Sequence, residues 1–197
     1  MWLTDDTISA GSWTTTGSWS YTEELDIKSA KVLLHTLIDI VSKNGNLLLN
    51  ISPTAAGVIP NKQRDSLLGM GTWLRANGEA IYGTRPFRVY GEGPKRLTSS
   101  GHFVEMSGDY TSENIRFTQK GDTVFAIQLG WPGSGKRVQI KSLGRASLVG
   151  RMITGVSVVD SPERIQWKLE DDALYVTTPL VAPNDIAICY KIELGKR

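Results

Sequence analysis

Residues 44–53 read NGNLLLNISP. Leu47, Leu48 and Leu49 form an apolar run with no period of two, so neither side of a strand built from them is marked for water. The run is short and helical patterns flank it. That combination predicts a parallel strand covered on both faces. Its polar exit, Asn50-Ile51-Ser52-Pro53, lies at the C-terminal end, where parallel α/β folds place ligands. A buried Asn50 amide needs hydrogen-bond partners, and the expected role is structural, tying down the turn from strand to loop.

Working outward, IKSAKVLLHTLIDIVSKNG (27–45) carries Leu33, Leu34, Leu37, Ile38 and Val41 at helical spacing. Ser29 is placed to cap the helix. Lys43 and then Asn44-Gly45 supply a basic last turn and a stop. His35 falls within this helix and reads as a packed or surface residue. Downstream, Pro60 suits the first position of a second helix. Leu67, Gly71 and Leu74 mark its face, Gly69 and Gly71 weaken it and allow close packing, and Asn77-Gly78 ends it. Helix, strand and helix make one slice of an α/β layer, which needs partner strands from elsewhere.

From Phe87 onward the pattern is antiparallel. FRVYG, HFVEM, NIRFTQ, TVFAIQLGW, KRVQIKSL, GRMITGVSVV, RIQWKLE, ALYVTTP and DIAICYKIEL are short alternating runs separated by turn residues. Gln119–Asp122 and Glu170–Ala173 read as hairpin turns. Eight or nine such strands predict a β-sandwich of about one hundred residues. The expected class is therefore α/β followed by all-β, with domains at 1–85 and 86–197. Trp131 and Trp167 lie on strands and read as core. The glycines of GEGP (91–94) and GWPGSGK (130–136) read as turn punctuation, and Lys136 sits between strands without the helix a phosphate loop needs.

The 197 residues carry a formal net charge of +2, which gives no general pull toward nucleic acid or a membrane surface. Every apolar segment is too short to span a bilayer, and the opening MWLTDDTISAGSW is not a secretory signal. One cysteine, Cys189, permits no intrachain disulfide and reads as a small buried hydrophobe. Two histidines without H-x-x-x-H or C-x-x-C spacing argue against a zinc site, and no cofactor is implied.

The residues that could carry chemistry sit near the front. Trp2, Trp13, Trp19 and Tyr21 crowd a stretch with little regular pattern, with GSW occurring at 11–13 and again at 17–19. Aromatic faces on loops stack against sugar rings, and polar neighbours bind hydroxyls; the competing role is to anchor the loop. Asp5-Asp6 and Glu23-Glu24 are paired carboxylates, and glycoside hydrolysis needs two carboxyl groups flanking a bond. Adjacent strand residues point to opposite faces, so neither pair is a ready-made dyad. The competing reading is solvated loop carboxylates, with Glu23 and Glu24 favouring a following helix N-terminus.

Taken together, W-L-T-D-D-T-I (2–8), S-W-S-Y-T-E (18–23), S-K-N-G-N-L-L-L-N-I-S-P (42–53), I-P (59–60) and N-G-E-A-I-Y-G-T-R-P-F (77–87) resemble the C-terminal part of the α-L-fucosidases of glycoside hydrolase family 29. The resemblance implies a (β/α)-barrel-like catalytic domain followed by a β-sandwich. It implies release of α-linked L-fucose with retention, through a covalent fucosyl-enzyme intermediate. NLLLNI is then the final barrel strand. Ser18-Trp19-Ser20-Tyr21 resembles the family's S-aromatic-G-Y motif, whose aromatic lines the fucose pocket near the sugar methyl; this makes Trp19 the leading site residue. Ser20 replaces the usual glycine, and Trp13 competes for the same alignment across an apparent insertion, TTTGSW.

The resemblance also marks departures. Leu3 stands where many relatives carry the glutamate of W-E-T-x-x-x-I. The family's nucleophilic aspartate, its fucose-binding histidines and its usual acid/base glutamate all precede Trp2. The expectation is thus a C-terminal fragment, with Met1 in mid-domain, whose partners are an α-L-fucoside or fucosylated glycan and either itself or a missing N-terminal barrel half. Two other readings compete: a non-catalytic fucose- or glycan-binding module, and a small oligomeric hydrolase using Asp5, Asp6, Glu23 or Glu24. Members of the family are secreted, periplasmic or lysosomal, and the sequence does not choose between compartments.

Overall fold

The computed structural model describes residues 2–10, 19–94 and 110–196. Sheet dominates and helices are few. Strand β1 (Trp2–Thr7) pairs in parallel with β2 (Gly45–Asn50), in register from Trp2↔Gly45 to Thr7↔Asn50. Between them runs helix α1 (Ala30–Ser42). Ser29 caps it, its hydroxyl accepting from the Val32 N–H at 3.3 Å. Asn44 takes the left-handed conformation (φ 67°) that turns the chain from helix into strand. Leu33, Leu34 and Ile38 are buried, as their spacing predicts.

Helix α2 (Asn61–Asn77) follows β2. Pro60 is its N-cap rather than its first helical residue: the Pro60 carbonyl accepts from the Arg64 N–H at 3.0 Å. The two helix glycines differ. A Cβ at Gly69 would lie 2.8 Å from the Ala30 Cβ, so this glycine lets α2 close on α1. At Gly71 the nearest atom is the Arg75 Nη1 at 3.7 Å, and no close approach requires a glycine there.

Strands β3 (Arg85–Glu92), β4 (Ile115–Lys120), β5 (Thr123–Gln128), β7 (Arg151–Val158) and β10 (Ile188–Lys196) make an antiparallel sheet in the order β3-β4-β5-β10-β7. Strands β6 (Arg137–Ile140), β8 (Trp167–Leu169) and β9 (Leu174–Thr177) make a second, in the order β6-β9-β8. Both expected hairpins are present. Gly121 (φ 58°) and Asp122 join Lys120 to Thr123, and the Glu170 N–H donates to the Ala173 carbonyl at 2.9 Å. Phe117, Ala126, Tyr190 and Ile192 of the first sheet share one hydrophobic cluster with Val138, Ile140, Leu174 and Val176 of the second. Of the nine expected strands, HFVEM alone lies outside the described residues.

Three expectations are corrected in this region. Gly91 is not a turn residue but part of β3: a Cβ there would stand 2.5 Å from the Ile115 carbonyl oxygen and 2.9 Å from the Arg116 Cδ. Trp131 follows β5 instead of lying on it, although it still packs on the shared cluster. Trp167 shares the register of inward-facing Val176, yet it stands on the edge strand of its sheet and remains 39% exposed.

The helices and the five-stranded sheet are joined through a second hydrophobic cluster. Leu33, Leu34, Ile38, Met70 and Trp73 meet Phe125, Ile127, Leu129, Ala187 and Cys189 there. A buried ion pair reinforces this seam. Asp39 of α1 (0% exposed) accepts from the Arg116 Nε of β4 (2% exposed) at 2.6 Å and from the Lys43 Nζ at 2.6 Å. The Arg116 guanidinium also stacks over the rings of Tyr110 and Tyr90, 5.1 and 5.7 Å from their centroids.

Candidate sugar-pocket rim

Parallel neighbours in register project to the same side of a sheet. Trp2, Thr4 and Asp6 therefore share a face with Gly45, Leu47 and Leu49, and this face meets the helices: Leu49 packs against the second cluster, and Gly45 lies against Ile40. The opposite face carries Leu3, Asp5, Asn46 and Leu48. Leu3 is 66% and Leu48 57% exposed. The expected cover on both faces of β2 is thus corrected, because the helices of the described residues pack on one side of this two-stranded sheet only.

The candidate carboxylates separate accordingly. Asp6 accepts from the Lys28 Nζ at 2.8 Å and from the Thr7 N–H at 2.8 Å, and the same ammonium donates to the Thr7 carbonyl at 2.9 Å. Lys28 is 5% exposed, so Asp6 is the counter-charge of a buried cation. Asp5 projects from the open face. Glu23 and Glu24 form an exposed turn ahead of α1, in keeping with solvated loop carboxylates. Asp6 is thus engaged by Lys28, while Asp5, Glu23 and Glu24 are exposed.

The aromatic candidates also divide. Trp2 lies at the N-terminal end of β1, where its Nε1 donates to the Lys43 carbonyl at 2.9 Å and its ring lies against Gly45. That is an anchoring geometry. The length of the strand, roughly 17 Å at about 3.3 Å per residue, separates it from the C-terminal ends of β1 and β2. Trp19 is at those ends. Its carbonyl accepts from the Asn50 Nδ2 at 2.9 Å, and the same amide donates to the Thr7 Oγ1 at 3.2 Å. Trp19 and Tyr21 are 42% and 40% exposed. Trp13 lies outside the described residues.

The exit from β2 is held by groups that sequence reasoning missed. The Gln63 side chain of α2 accepts from the Ser52 N–H and donates to the Ser52 carbonyl, both at 2.9 Å, and it is 1% exposed. Beyond it the Thr54 N–H donates to the Val58 carbonyl at 2.9 Å, closing a turn that contains Gly57 (φ 76°) and leaves Val58 60% exposed. A polar residue three positions into a helix that Pro60 opens was the available signal for this latch. Asn50 reaches sideways rather than into its own turn, across to β1 and to the Trp19 segment.

Groups with displaced pKa lie away from this rim. Burial lowers His35, whose Nε2 donates to the Ile186 carbonyl at 2.8 Å and whose ring meets Tyr110 edge-on. Burial raises the Cys189 thiol and also raises Glu92, the latter opposed by bonds from the Ser142 N–H and hydroxyl. A shallow concavity of about 250 Å³ lies on the three-stranded sheet, where the Arg137 guanidinium stacks 3.8 Å from the Tyr175 ring centroid. Among the described residues no three His, Cys, Asp or Glu side chains gather to hold a metal, and no helix is long and apolar enough to cross a membrane.

The Alpha-L-fucosidase family matches residues 1–79, and the Alpha-L-fucosidase C-terminal domain family matches residues 108–193. The tissue alpha-L-fucosidase of Homo sapiens is 31% identical over 173 residues, which cover 86% of this chain and 32% of the human protein. The Mus musculus counterpart is 35% identical over 175 residues, covering 87% of this chain and 34% of that protein. Among solved structures, the Thermotoga maritima alpha-fucosidase in complex with a mechanism-based inhibitor superposes with a TM-score of 0.73 at 30% identity, over 98% of this chain and 39% of that one. The same enzyme in complex with fucose gives a TM-score of 0.72 at 31% identity, over 97% and 39%. With one fucosidase family matching the helical part and another the sheets, the chain belongs to the α-L-fucosidase family, glycoside hydrolase family 29.

Proposed function

We propose that these residues form the C-terminal region of a retaining α-L-fucosidase that removes α-linked L-fucose from glycoconjugates. On this reading β1, α1, β2 and α2 are the closing portion of a (β/α) barrel, spanning residues 1–85. The two antiparallel sheets are a β-sandwich, spanning residues 86–197. The open face of Leu3, Asp5 and Leu48 is then barrel interior, which further strands would cover. The observation that carries the proposal is Trp19, an exposed aromatic held at the C-terminal ends of two parallel strands. Trp19 and Tyr21 present apolar ring faces at the rim, and Trp13 is outside the described residues. Trp2, at the other end of β1, anchors the strand instead.

A retaining glycosidase needs a nucleophilic carboxylate and an acid/base about 5–5.5 Å apart. Asp6 is committed to Lys28 and Glu23 and Glu24 lie on an exposed turn, which argues against a self-sufficient hydrolase built from them. The proposal therefore assigns both catalytic carboxylates to other parts of the barrel and gives this region pocket walls and structural support. The test is release of nitrophenol from a chromogenic α-L-fucoside by the purified 197-residue chain. The expected rate is indistinguishable from buffer, because loss of both carboxylates removes nearly all turnover. Turnover that co-purifies with the chain and disappears in Asp5→Ala would put the chemistry within these residues.

A further inference from the structure

Trp19 is 42% exposed at the ends of β1 and β2. Its loop closes at the base, where the Ala10 N–H donates to the Asp26 carbonyl at 2.7 Å and Ser9 bridges Ile27. Asn50 lies 31 residues from Trp19 in sequence and yet donates to its carbonyl. A carbonyl can only accept, so this contact fixes which way round the Asn50 amide sits. The second N–H of that nitrogen goes to the Thr7 hydroxyl. One side chain thus ties the ends of β1 and β2 and the Trp19 segment to a single point.

We infer that Asn50 is a positioning residue for Trp19, setting where the ring stands at the rim through its donor bond to the Trp19 carbonyl. The inference rests on the fucose-pocket reading for its catalytic meaning. A binding group held by a fixed neighbour keeps its geometry without ligand, whereas a loose one must be ordered each time. The two acceptors also respond differently to substitution. In Asn50→Asp both donors are lost. The Thr7 Oγ1 keeps another donor, the Ser9 N–H at 3.4 Å, but the Trp19 carbonyl then faces an oxygen it cannot bond. Asn50→Asp should release Trp19 selectively and leave the pairing of β1 with β2 intact.

The experiment is fluorine NMR of the chain labelled with 5-fluorotryptophan, which reports six tryptophans. Trp19→Phe assigns the Trp19 line. In Asn50→Asp and in Asn50→Ala the Trp19 line is expected to move by more than its width. The Trp73 and Trp131 lines should stay in place in both variants. A Trp19 line that superimposes on the parent in both variants overturns the inference. So does a common shift of all lines accompanied by a lower urea midpoint, since that is what a purely structural role gives. Titration of the parent with L-fucose separates the two ideas. A Trp19 line that ignores the sugar but answers to Asn50 counts against the pocket reading and supports the tether.

Discussion

Replacing Asp39 with asparagine should destabilise the protein more than any other single change of charge in the described structure. The substitution keeps the shape and removes the counter-charge of Arg116, which is 2% exposed and cannot reach water without opening the seam between α1 and β4. Leaving a buried charge without its partner costs about 3–5 kcal/mol. At about 2–4 °C per kcal/mol for a chain of this size, the melting point falls by roughly 10 °C. Lys43 touches the same carboxylate but is partly exposed and only one helical turn away, so Lys43→Met should cost less than about 1 kcal/mol. Asp39→Leu combined with Arg116→Met removes both charges, and should recover most of the loss, because apolar replacement of a whole buried pair is often close to neutral. Urea unfolding followed by tryptophan fluorescence yields all three values. An Asp39→Asn cost below about 1 kcal/mol, or one equal to that of Lys43→Met, would refute the assignment of this pair as the polar centre of the seam.

Three further outcomes are expected. Burial holds the His35 imidazole neutral below its ordinary value of 6.5, opposed by the Ile186 carbonyl and aided by the nearby Lys31 and Arg116 cations. The unfolded chain therefore binds the extra proton first, stability falls as pH drops below 6.5, and His35→Gln should flatten that part of the pH profile of the urea midpoint; an unchanged slope would assign the acid sensitivity elsewhere. Gly71→Ala should stabilise by up to about 1 kcal/mol through helix propensity, while Gly69→Ala, whose Cβ meets Ala30, should destabilise by about 1–3 kcal/mol; equal effects in thermal melts would count against the packing described for α2. The open face of β1 and β2 should drive self-association at high concentration, relieved by Leu3→Lys with Leu48→Glu; a parent chain that stays monomeric by light scattering would count against it.

Local signals carried much of this structure into view. The Ser29 cap, the Asn44-Gly45 stop and the triple leucine were enough to find α1 and a parallel strand, because each depends on neighbours within a few residues. The strands β4, β5 and β10 were equally legible, although β4 and β5 are buried on both faces instead of alternating. What stayed hidden depends on partners far along the chain. Asp39 and Arg116 are 77 residues apart, and nothing in either segment names the other. Leu48 shows why composition misleads: three leucines in a row say that a strand is apolar, not which of its faces is covered. At the candidate site, the sequence offered Trp2, Trp13, Trp19 and Tyr21 alike on a stretch that reads as loop, separated Asp5 from Asp6, and did not show that Trp2–Thr7 is the strand that partners β2. It could not reveal that Lys28 claims Asp6 or that Asn50 reaches Trp19, because both depend on the register between β1 and β2.

The backbone just before β10 has a consequence for synthesis. His35 donates to the carbonyl of Ile186, and the Trp73 Nε1 donates to that of Ala187 at 3.3 Å, so each helix spends a buried side-chain donor on this one short segment. β10 also lies between β5 and β7, in the interior of its sheet. On a ribosome, β10 emerges after every other described element. The two helices must wait, with apolar faces uncovered, until Ile186 and the strand after it leave the exit tunnel. A truncation ahead of Ile186 would therefore do more than remove one strand: it would withdraw the groups that finish the core of helices made more than a hundred residues before.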